Sequence, residues 1–363
     1  MKSISIYLTL CFIYFSSCSI VVVSEEEKSY RKVIIYMAAD NGLSEDAWNN
    51  ITEIQRVYKN KSVKLIVFID SKDDLPHILL IEQGGAKLIK TYHEFNSADA
   101  TYMKHIVMGI IEMYPAASYG LVLWSHGTSW LPAGVQLRSF GDDNGRQIDI
   151  WALAAALPVK FDFMLFDACL MGSVEVVYEL RNKTDFIIAS STDIIYKGFP
   201  YEWVIPELTS VEPDLRKVAS AHFDFYNGMQ GELRSASVTL INTRELEKLA
   251  TVTGQFITGR KFDLEFFDRT SVQRLDLYIE QYTFDFLDFL EKAFPEADTN
   301  PLKAQLGKTV LYKAHTPRFI EEYDILTYCG LSCYIPHPLR DDLNKSYQQL
   351  EWNRDSGFYN LFR

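Results

Sequence analysis

Short runs of apolar residues alternate with amphipathic stretches through the first 200 residues of the chain. The apolar runs are typical of strands buried on both faces of a parallel sheet, and apolar residues spaced three and four apart between them are typical of helices. This alternation predicts a mostly parallel sheet with helices on both faces. The apolar runs lie within residues 33–39, 64–69, 120–127, 161–172 and 185–190.

After about residue 201 helical patterns dominate, and no linker, repeat or low-complexity segment separates this part from the rest. Predicted helices cover residues 214–229, 244–259 and 275–294. Predicted strands at 234–241 and 310–313 either extend the sheet or pair with residues 330–335. We therefore expect a core of residues 33–200 and a C-terminal part, residues 201–363, packed against it.

The N-terminal segment predicts export. Residues 1–17 carry Lys2 and then an apolar run that is too short to span a membrane, which is the pattern of a signal peptide. Residues 15–18 are similar to a loose bacterial lipobox, in which Cys18 would be lipidated; ordinary cleavage nearby or an unmodified Cys18 is the alternative. Residues 18–32 then form a tether, and we expect a bacterial cell envelope lipoprotein or a secreted protein.

The composition argues against a nucleic acid partner and against a fold held together by disulfides. A net charge of −12 with no basic run argues against a nucleic acid partner. Apart from the cysteines in the N-terminal segment, the chain has Cys169, Cys329 and Cys333, too few for a disulfide framework. Cys329 and Cys333 are four residues apart on a predicted strand, too far for a disulfide at about 3.3 Å per residue, so we interpret both as packing residues.

Two predicted strands end in residues that carry chemistry. The strand within 120–127 ends at His126, and the strand within 161–172 ends at Cys169 just before a helical pattern. If these strands are parallel neighbours, both side chains emerge at the edge where open α/β sheets bind ligands. A nearby helix N-terminus also favours the thiolate. A buried structural cysteine is the alternative, but two matched strand ends carrying His-Gly and Cys favour nucleophilic catalysis.

The sequence Ser125-His126-Gly127, followed by Phe-Asp-Ala-Cys-Leu-Met-Gly-Ser-Val-Glu-Val at 166–176, resembles the clostripain family of cysteine peptidases. The resemblance extends from about residue 33 to residues 330–336. It implies the caspase and gingipain fold, a three-layer α/β/α sandwich with a mostly parallel central sheet, here with a helical C-terminal subdomain. It also implies a cysteine endopeptidase acting on protein or peptide substrates.

The resemblance assigns roles to four positions. Cys169 is implied as the nucleophile and His126 as the proton donor of a dyad, with the backbone N–H groups of Gly127 and Cys169 stabilising the oxyanion. Asp167 is implied to line the S1 pocket and to recognise a basic P1 side chain. The alternative for Asp167 is a structural carboxylate at the end of a strand that binds nearby backbone N–H groups.

Two positions depart from the family pattern. The family commonly has Gly where this chain has Ser129. Lys197 stands where an acidic residue would help to bind a basic P1 side chain. If Lys197 enters the pocket and pairs with Asp167, a non-basic P1 residue is expected; if Lys197 faces solvent, the basic preference survives.

The stretch 127–147 is a long polar loop with several glycines, the kind of segment in which nicking concentrates. It lies between His126 and Cys169, as the processing site does in relatives. The sequence therefore predicts maturation by self-cleavage in this loop, with Arg138 and Arg146 as the basic candidates.

Other chemistries find little support in the sequence. No nucleotide-binding glycine motif, Gly-x-Ser-x-Gly elbow or His-x-x-x-His pair is present, so no cofactor is required and no catalytic zinc is expected. The stretch 142–145 (Asp-Asp-Asn-Gly) lacks EF-hand spacing and is interpreted as a turn, although calcium is left open. The rival from another class is a non-catalytic surface-binding lipoprotein, with membrane contact only through an N-terminal lipid.

Overall fold

A computed structural model describes residues 31–60, 62–131 and 139–362. The signal peptide expected at residues 1–17, the proposed lipid anchor Cys18 and most of the tether lie outside the described residues. None of the helices in the described part is long and apolar enough to span a membrane.

The described residues contain fifteen strands and eleven α-helices. The strands are β1 (Lys32–Ala39), β2 (Leu65–Ser71), β3 (Asp74–Glu82), β4 (Gly85–Thr91), β5 (Tyr119–Trp124), β6 (Phe140–Asp143), β7 (Arg146–Ile148), β8 (Phe161–Asp167), β9 (Thr184–Ala189), β10 (Ser237–Asn242), β11 (Thr283–Asp285), β12 (Val310–His315), β13 (Arg318–Phe319), β14 (Tyr323–Asp324) and β15 (Ser332–Tyr334). The helices are α1 (Ser44–Val57), α2 (Ala100–Met113), α3 (Ile150–Ala156), α4 (Val174–Glu179), α5 (Tyr201–Leu208), α6 (Leu215–Asn227), α7 (Leu246–Ile257), α8 (Phe286–Ala293), α9 (Asn300–Thr309), α10 (Asp341–Tyr347) and α11 (Glu351–Ser356).

Nine strands form one mixed sheet in the order β12-β10-β9-β8-β5-β1-β2-β3-β4. The five central strands from β9 to β2 are parallel to one another. The hairpin of β3 and β4 adds antiparallel strands at one edge, and β10 and β12 add them at the other. The alternation of strands and helices therefore gives the predicted three-layer fold.

The central strands form because their residues are apolar on both faces. Every residue of β1 is buried, and successive side chains alternate between two hydrophobic cores. Ile34 and Tyr36 pack beneath α2 and α4, whereas Val33 and Ile35 pack beneath α1, α5 and α6. Helices cover both sides of the sheet, as parallel strands require.

The C-terminal part is continuous with the sheet. The strands predicted at 234–241 and 310–313 correspond to β10 and β12, which pair with each other, and β10 also pairs with β9. The segment 330–335 instead forms β15 and pairs with β11. Of the two alternatives from the sequence, the extension of the sheet is therefore the correct one.

The helix predicted over 275–294 is wrong in its first half, because α8 begins only at Phe286. The buried carboxylate of Asp276 accepts hydrogen bonds from the backbone N–H groups of Tyr278, Tyr282 and Thr283, which fixes a loop there. The short strand β11 follows this loop. Side-chain bonds of this kind compete with helix formation.

Candidate active site

Strand register brings the ends of β5 and β8 together. These parallel strands pair Trp124 with Asp167, so His126 and Cys169 follow at the same edge of the sheet. Both side chains are half-buried and line one cleft of about 440 Å³. The structure thus brings together the two residues that the sequence singled out as a pair.

The backbone turns sharply after Cys169. Leu170 has a φ of 63°, in the left-handed region that a β-carbon disfavours. Its N–H donates to the carbonyl of Thr192, and the Gly172 N–H donates to that of Ser190. Bonds to the loop after β9 thus hold the strained turn and present the thiol to the cleft, as constrained backbone at functional sites does.

The Cys169 thiol lies near the carboxyl group of Asp193. Ile194 donates its backbone N–H to Sγ at 3.2 Å, but burial and the neighbouring Asp193 carboxyl raise the pKa of the thiol. Burial of the thiol therefore opposes the thiolate that a helix N-terminus was expected to favour. Helix α4, which follows, has only six residues.

Burial also lowers the pKa of His126, although the Asp142 carboxylate nearby acts in the opposite direction. The backbone carbonyl of His126 accepts a hydrogen bond of 3.0 Å from the Gly141 N–H on β6. At neutral pH the pair is consequently a neutral thiol and a neutral imidazole, and the imidazole can accept a proton.

Gly127 allows close approach between the two strand ends. A β-carbon at this position would lie 2.5 Å from the carbonyl oxygen of Cys169, so only glycine fits. Gly127 also forms an antiparallel bridge to Phe140 in which the flanking residues make the hydrogen bonds. Its own N–H is therefore directed away from β6, as at any non-hydrogen-bonded position of such a pair.

The Asp167 carboxylate forms part of the cleft wall. It is buried and accepts hydrogen bonds of 3.0 Å from the Phe199 N–H and from the Tyr201 hydroxyl. Burial outweighs these bonds and raises the pKa of Asp167 to about 6. Gly198 has a φ of 68°, and a β-carbon there would lie 2.6 Å from Oδ2, so the absence of a side chain at Gly198 leaves room for the carboxylate.

Lys197 is not among the residues that line this cleft, which corresponds to the alternative in which its side chain faces solvent. Its side chain is exposed and lies with Glu53 along a neighbouring surface depression, on the far side of Tyr196. The Lys197 carbonyl accepts a hydrogen bond from Asn50 on α1. The positive φ of Gly198 reverses the chain here, so that Asp167 faces one side of this loop and Lys197 the other.

Of the acidic residues that line the cleft, the sequence analysis identified only Asp167. Asp193 and Glu232 line it together with Asp167, and no lysine or arginine is among the described residues that do so. Burial raises the pKa of Asp193 to about 7. Asp193 lies in the loop after β9 and Glu232 in a short 3₁₀ helix before β10, and the sequence carried no motif for either residue.

The loop at 127–147 contains the hairpin of β6 and β7. Asn144 and Gly145 both have positive φ at its two-residue turn, which is the pattern of a type I′ turn and confirms the turn interpretation of residues 142–145. Arg146 is exposed at the start of β7 and faces Asp143 in the ladder. Arg138, the other processing candidate, lies outside the described residues.

Ser129 has a φ of 62°, so the left-handed conformation suits the glycine that the clostripain family commonly has at this position. In this chain the buried Ser129 hydroxyl donates to Oγ of Ser173, which caps the N-terminus of α4. Cys329 and Cys333 are both free and buried, which confirms their interpretation as packing residues.

Sequence comparison and structure comparison both point to the same family. The model of the clostripain family matches residues 35–339. The structure superposes on an inactive zymogen C11 protease from Parabacteroides distasonis with a TM-score of 0.80 and 29% identity, covering 94% of this chain and 100% of that one.

A second similar structure is a secreted C11 cysteine protease from Bacteroides thetaiotaomicron in complex with an irreversible peptide inhibitor. Its TM-score is 0.79 and its identity 28%, with 91% of this chain and 99% of that one covered. Clostripain from Hathewaya histolytica is 25% identical, over 53% of this chain and 46% of its own length. This chain therefore spans about half the length of that relative.

Proposed function

The chain belongs to the clostripain family of cysteine peptidases, and we propose that it is an endopeptidase that cleaves proteins or peptides after basic residues. The complex of the similar secreted protease with a peptide inhibitor supports peptides as ligands. The observation that carries the basic specificity is the charge of the cleft: Asp167, Asp193 and Glu232 line it, and none of its described lining residues is a lysine or arginine.

Cys169 and His126 carry the chemistry of the proposed reaction. As the Cys169 Sγ attacks the scissile carbonyl carbon, His126 accepts the thiol proton, since the thiol pKa is raised and the imidazole is neutral. The Gly127 and Cys169 N–H groups stabilise the oxyanion. His126 then donates the proton to the leaving amine as the C–N bond breaks. Water hydrolyses the thioester, which restores the thiol and releases the new carboxyl group.

Asp167 selects the P1 side chain in this proposal. A lysine or arginine that enters the cleft forms a charge-assisted hydrogen bond with the carboxylate and lowers its pKa from about 6, which strengthens the pairing. The Phe199 N–H and the Tyr201 hydroxyl hold the carboxylate in position before substrate arrives. Lys197 faces away from the cleft and leaves this charge uncompensated.

We also propose that the enzyme is exported and matures by self-cleavage in the loop at 127–147. The similarity to a secreted protease and to an inactive zymogen supports these two proposals. Attachment through a lipid on Cys18 and free secretion remain the two proposed forms of export.

The proposed specificity is tested by measuring kcat/KM on peptides that differ only at P1, with wild-type protein and the Asp167→Asn variant. We expect Arg and Lys substrates to be preferred, and Asp167→Asn to lower their kcat/KM by roughly 10- to 100-fold, the value of about 1.5–3 kcal/mol for a bond to a charged group. Turnover of a P1 Gln or Met peptide should change little.

Two further variants serve as controls for this measurement. Lys197→Asp should leave the P1 profile unchanged because the side chain lies outside the cleft, and Cys169→Ala should abolish turnover of every peptide. A sharp rise in Arg and Lys turnover in Lys197→Asp, or an Asp167→Asn enzyme with an unaltered P1 profile, contradicts the proposal.

A further inference from the structure

Both parts of the chain contribute to the cleft that contains Cys169. Four of its described lining residues follow position 201, and three of these four are aliphatic: Leu233, Leu277 and Ile320. We refer to these three side chains as the aliphatic patch. The mechanism above uses none of them, although they share the cleft with the nucleophile. The patch is therefore available to a part of the substrate other than the scissile bond and the P1 side chain.

Two members of the aliphatic patch are accessible to solvent. Leu233 and Leu277 are each 37% exposed. Single exposed leucines are common on protein surfaces and need no explanation, but ligand sites are typically concave and lined mainly by apolar side chains. An apolar side chain that covers these two leucines removes their surface from water, which favours binding.

The third member, Ile320, has a strained backbone. It begins the tight turn between β13 and β14 with a φ of 44°, in the left-handed region. Glycine or asparagine suits this conformation, whereas a β-branched residue there is a genuine outlier. Strain of this kind is typical of functional sites, so the isoleucine indicates that its side chain, rather than the turn alone, is required.

Hydrogen bonds hold Ile320 beside the short 3₁₀ helix that ends at Leu233. The Ile320 N–H donates to Ser235 Oγ at 2.7 Å, and the Ser235 hydroxyl donates to the Glu232 carbonyl at 2.7 Å. Ile320 also packs against the cluster that contains Ile195, another lining residue of the cleft. These two members of the patch thus have fixed relative positions, and the patch is continuous with the loop after β9.

Leu277 is positioned by the loop that precedes β11. The buried Asp276 carboxylate accepts the backbone N–H groups of Tyr278, Tyr282 and Thr283, which closes the loop in which Leu277 lies. A side chain that is held in place before substrate arrives loses less freedom on binding, so its contacts contribute more to affinity.

We propose that the aliphatic patch is a second specificity site, which binds an aliphatic side chain of the substrate near the basic P1 residue. This inference rests on the proposed function, since it assigns a further determinant to the same cleft. Asp193 and Glu232 also line the cleft, so an acidic side chain is disfavoured at the same substrate position. The preferred substrates are therefore peptides with lysine or arginine at P1 and leucine, isoleucine, valine or methionine close to it.

The test measures kcat/KM for peptides with arginine at P1 and with glycine, leucine or glutamate at one other position from P4 to P2′. At one or more of these positions we expect leucine to exceed glycine by roughly 10-fold, in the range that apolar pockets give, and glutamate to fall below glycine. Leu277→Ser and Leu233→Ser should each lower the ratio of leucine to glycine several-fold. Ile279→Ser is the matched control: Ile279 is 95% exposed in the same loop, is not among the lining residues, and should retain the wild-type ratio.

Folding of the variants is checked by the Tm, which should stay close to the wild-type value because Leu233 and Leu277 are partly exposed. Affinities of the Cys169→Ala protein for the leucine and glycine peptides, measured by fluorescence polarisation, give the same comparison without turnover. Equal kcat/KM and equal affinity for leucine and glycine at every position overturn the inference, as does a preference for leucine that both substitutions leave unchanged. If the P1 comparison selects a non-basic residue, peptides built on that residue test the patch, so the proposed basic specificity fails separately.

Discussion

At position 129 this chain has a serine where a left-handed backbone, with a φ of 62°, favours glycine. A β-carbon in this conformation costs about 1–2 kcal/mol. The hydroxyl offsets part of that cost, because it donates a buried hydrogen bond of 2.8 Å to Ser173 at the start of α4. Serine at this position thus adds backbone strain, and in return it links the loop after His126 to the helix after Cys169.

Substitutions at position 129 separate these two effects. Ser129→Ala loses the hydrogen bond and retains the strained conformation, whereas Ser129→Gly loses the bond and relieves the strain. We expect Ser129→Gly to be more stable than Ser129→Ala by about 1 kcal/mol, with Ser129→Ala less stable than wild type by about 1–3 kcal/mol. Urea unfolding in the Cys169→Ala background measures both differences, and equal stability of the two variants contradicts the strain argument.

At the scale of elements, the hairpin of β6 and β7 determines which basic residue is the better processing site. Arg146 is part of the ladder, opposite Asp143, and the turn beside it is closed by a hydrogen bond of 2.8 Å from Gly145 N–H to the Asp142 carboxylate. A peptidase binds its substrate as an extended segment, so cleavage after Arg146 requires that the hairpin opens. Arg138 is the better candidate on this ground.

Mass spectrometry of the purified protein tests self-cleavage. We expect a cut after Arg138 in the wild-type chain, the same cut in Arg146→Ala, and an uncut chain in Cys169→Ala. Arg138→Ala should prevent or greatly slow the cut. An active enzyme whose chain is intact refutes maturation by cleavage. A cut that persists in Cys169→Ala shows that another peptidase makes it, and a cut after Arg146 shows that the hairpin opens.

At the scale of the whole molecule, the C-terminal part is joined to the residues around the nucleophile. Ser332 donates its N–H to the Gly172 carbonyl, and Tyr334 donates its N–H to the Glu175 carboxyl at 2.9 Å. The Glu175 side chain is 0% exposed, and its other oxygen has no hydrogen-bond partner among the described residues. Burial raises the pKa of Glu175 from 4.5 to about 7.

This raised pKa makes stability depend on pH. The folded protein binds the Glu175 proton more tightly than the unfolded chain, so the contribution is fully present below pH 4.5 and is lost as the pH rises through about 7. We expect Glu175→Gln to gain stability relative to wild type over this range, by roughly 3 kcal/mol at most. Urea unfolding at pH 5 to 8 measures it, with Glu265→Gln at an exposed position as control. Equal pH slopes in wild type and Glu175→Gln contradict the assignment.

The sequence by itself determined the central strands and the two strand ends that carry chemistry. Runs buried on both faces, such as β1 and β8, are local patterns that survive without knowledge of their neighbours. The resemblance at 166–176 also identified the family, which the comparison confirmed. These features depend on residue type and on short spacings, and both can be read directly from the sequence.

Only the tertiary structure decided features that depend on residues far apart in the chain. The thiol pKa of Cys169 is raised by burial and by Asp193, and the side on which Lys197 lies follows from the turn at Gly198. Asp70 meets Glu94 and Asp143 although the three belong to β2, to the segment after β4 and to β6. The charge and solvation of a side chain depend on the residues that surround it, and only folding brings those residues together.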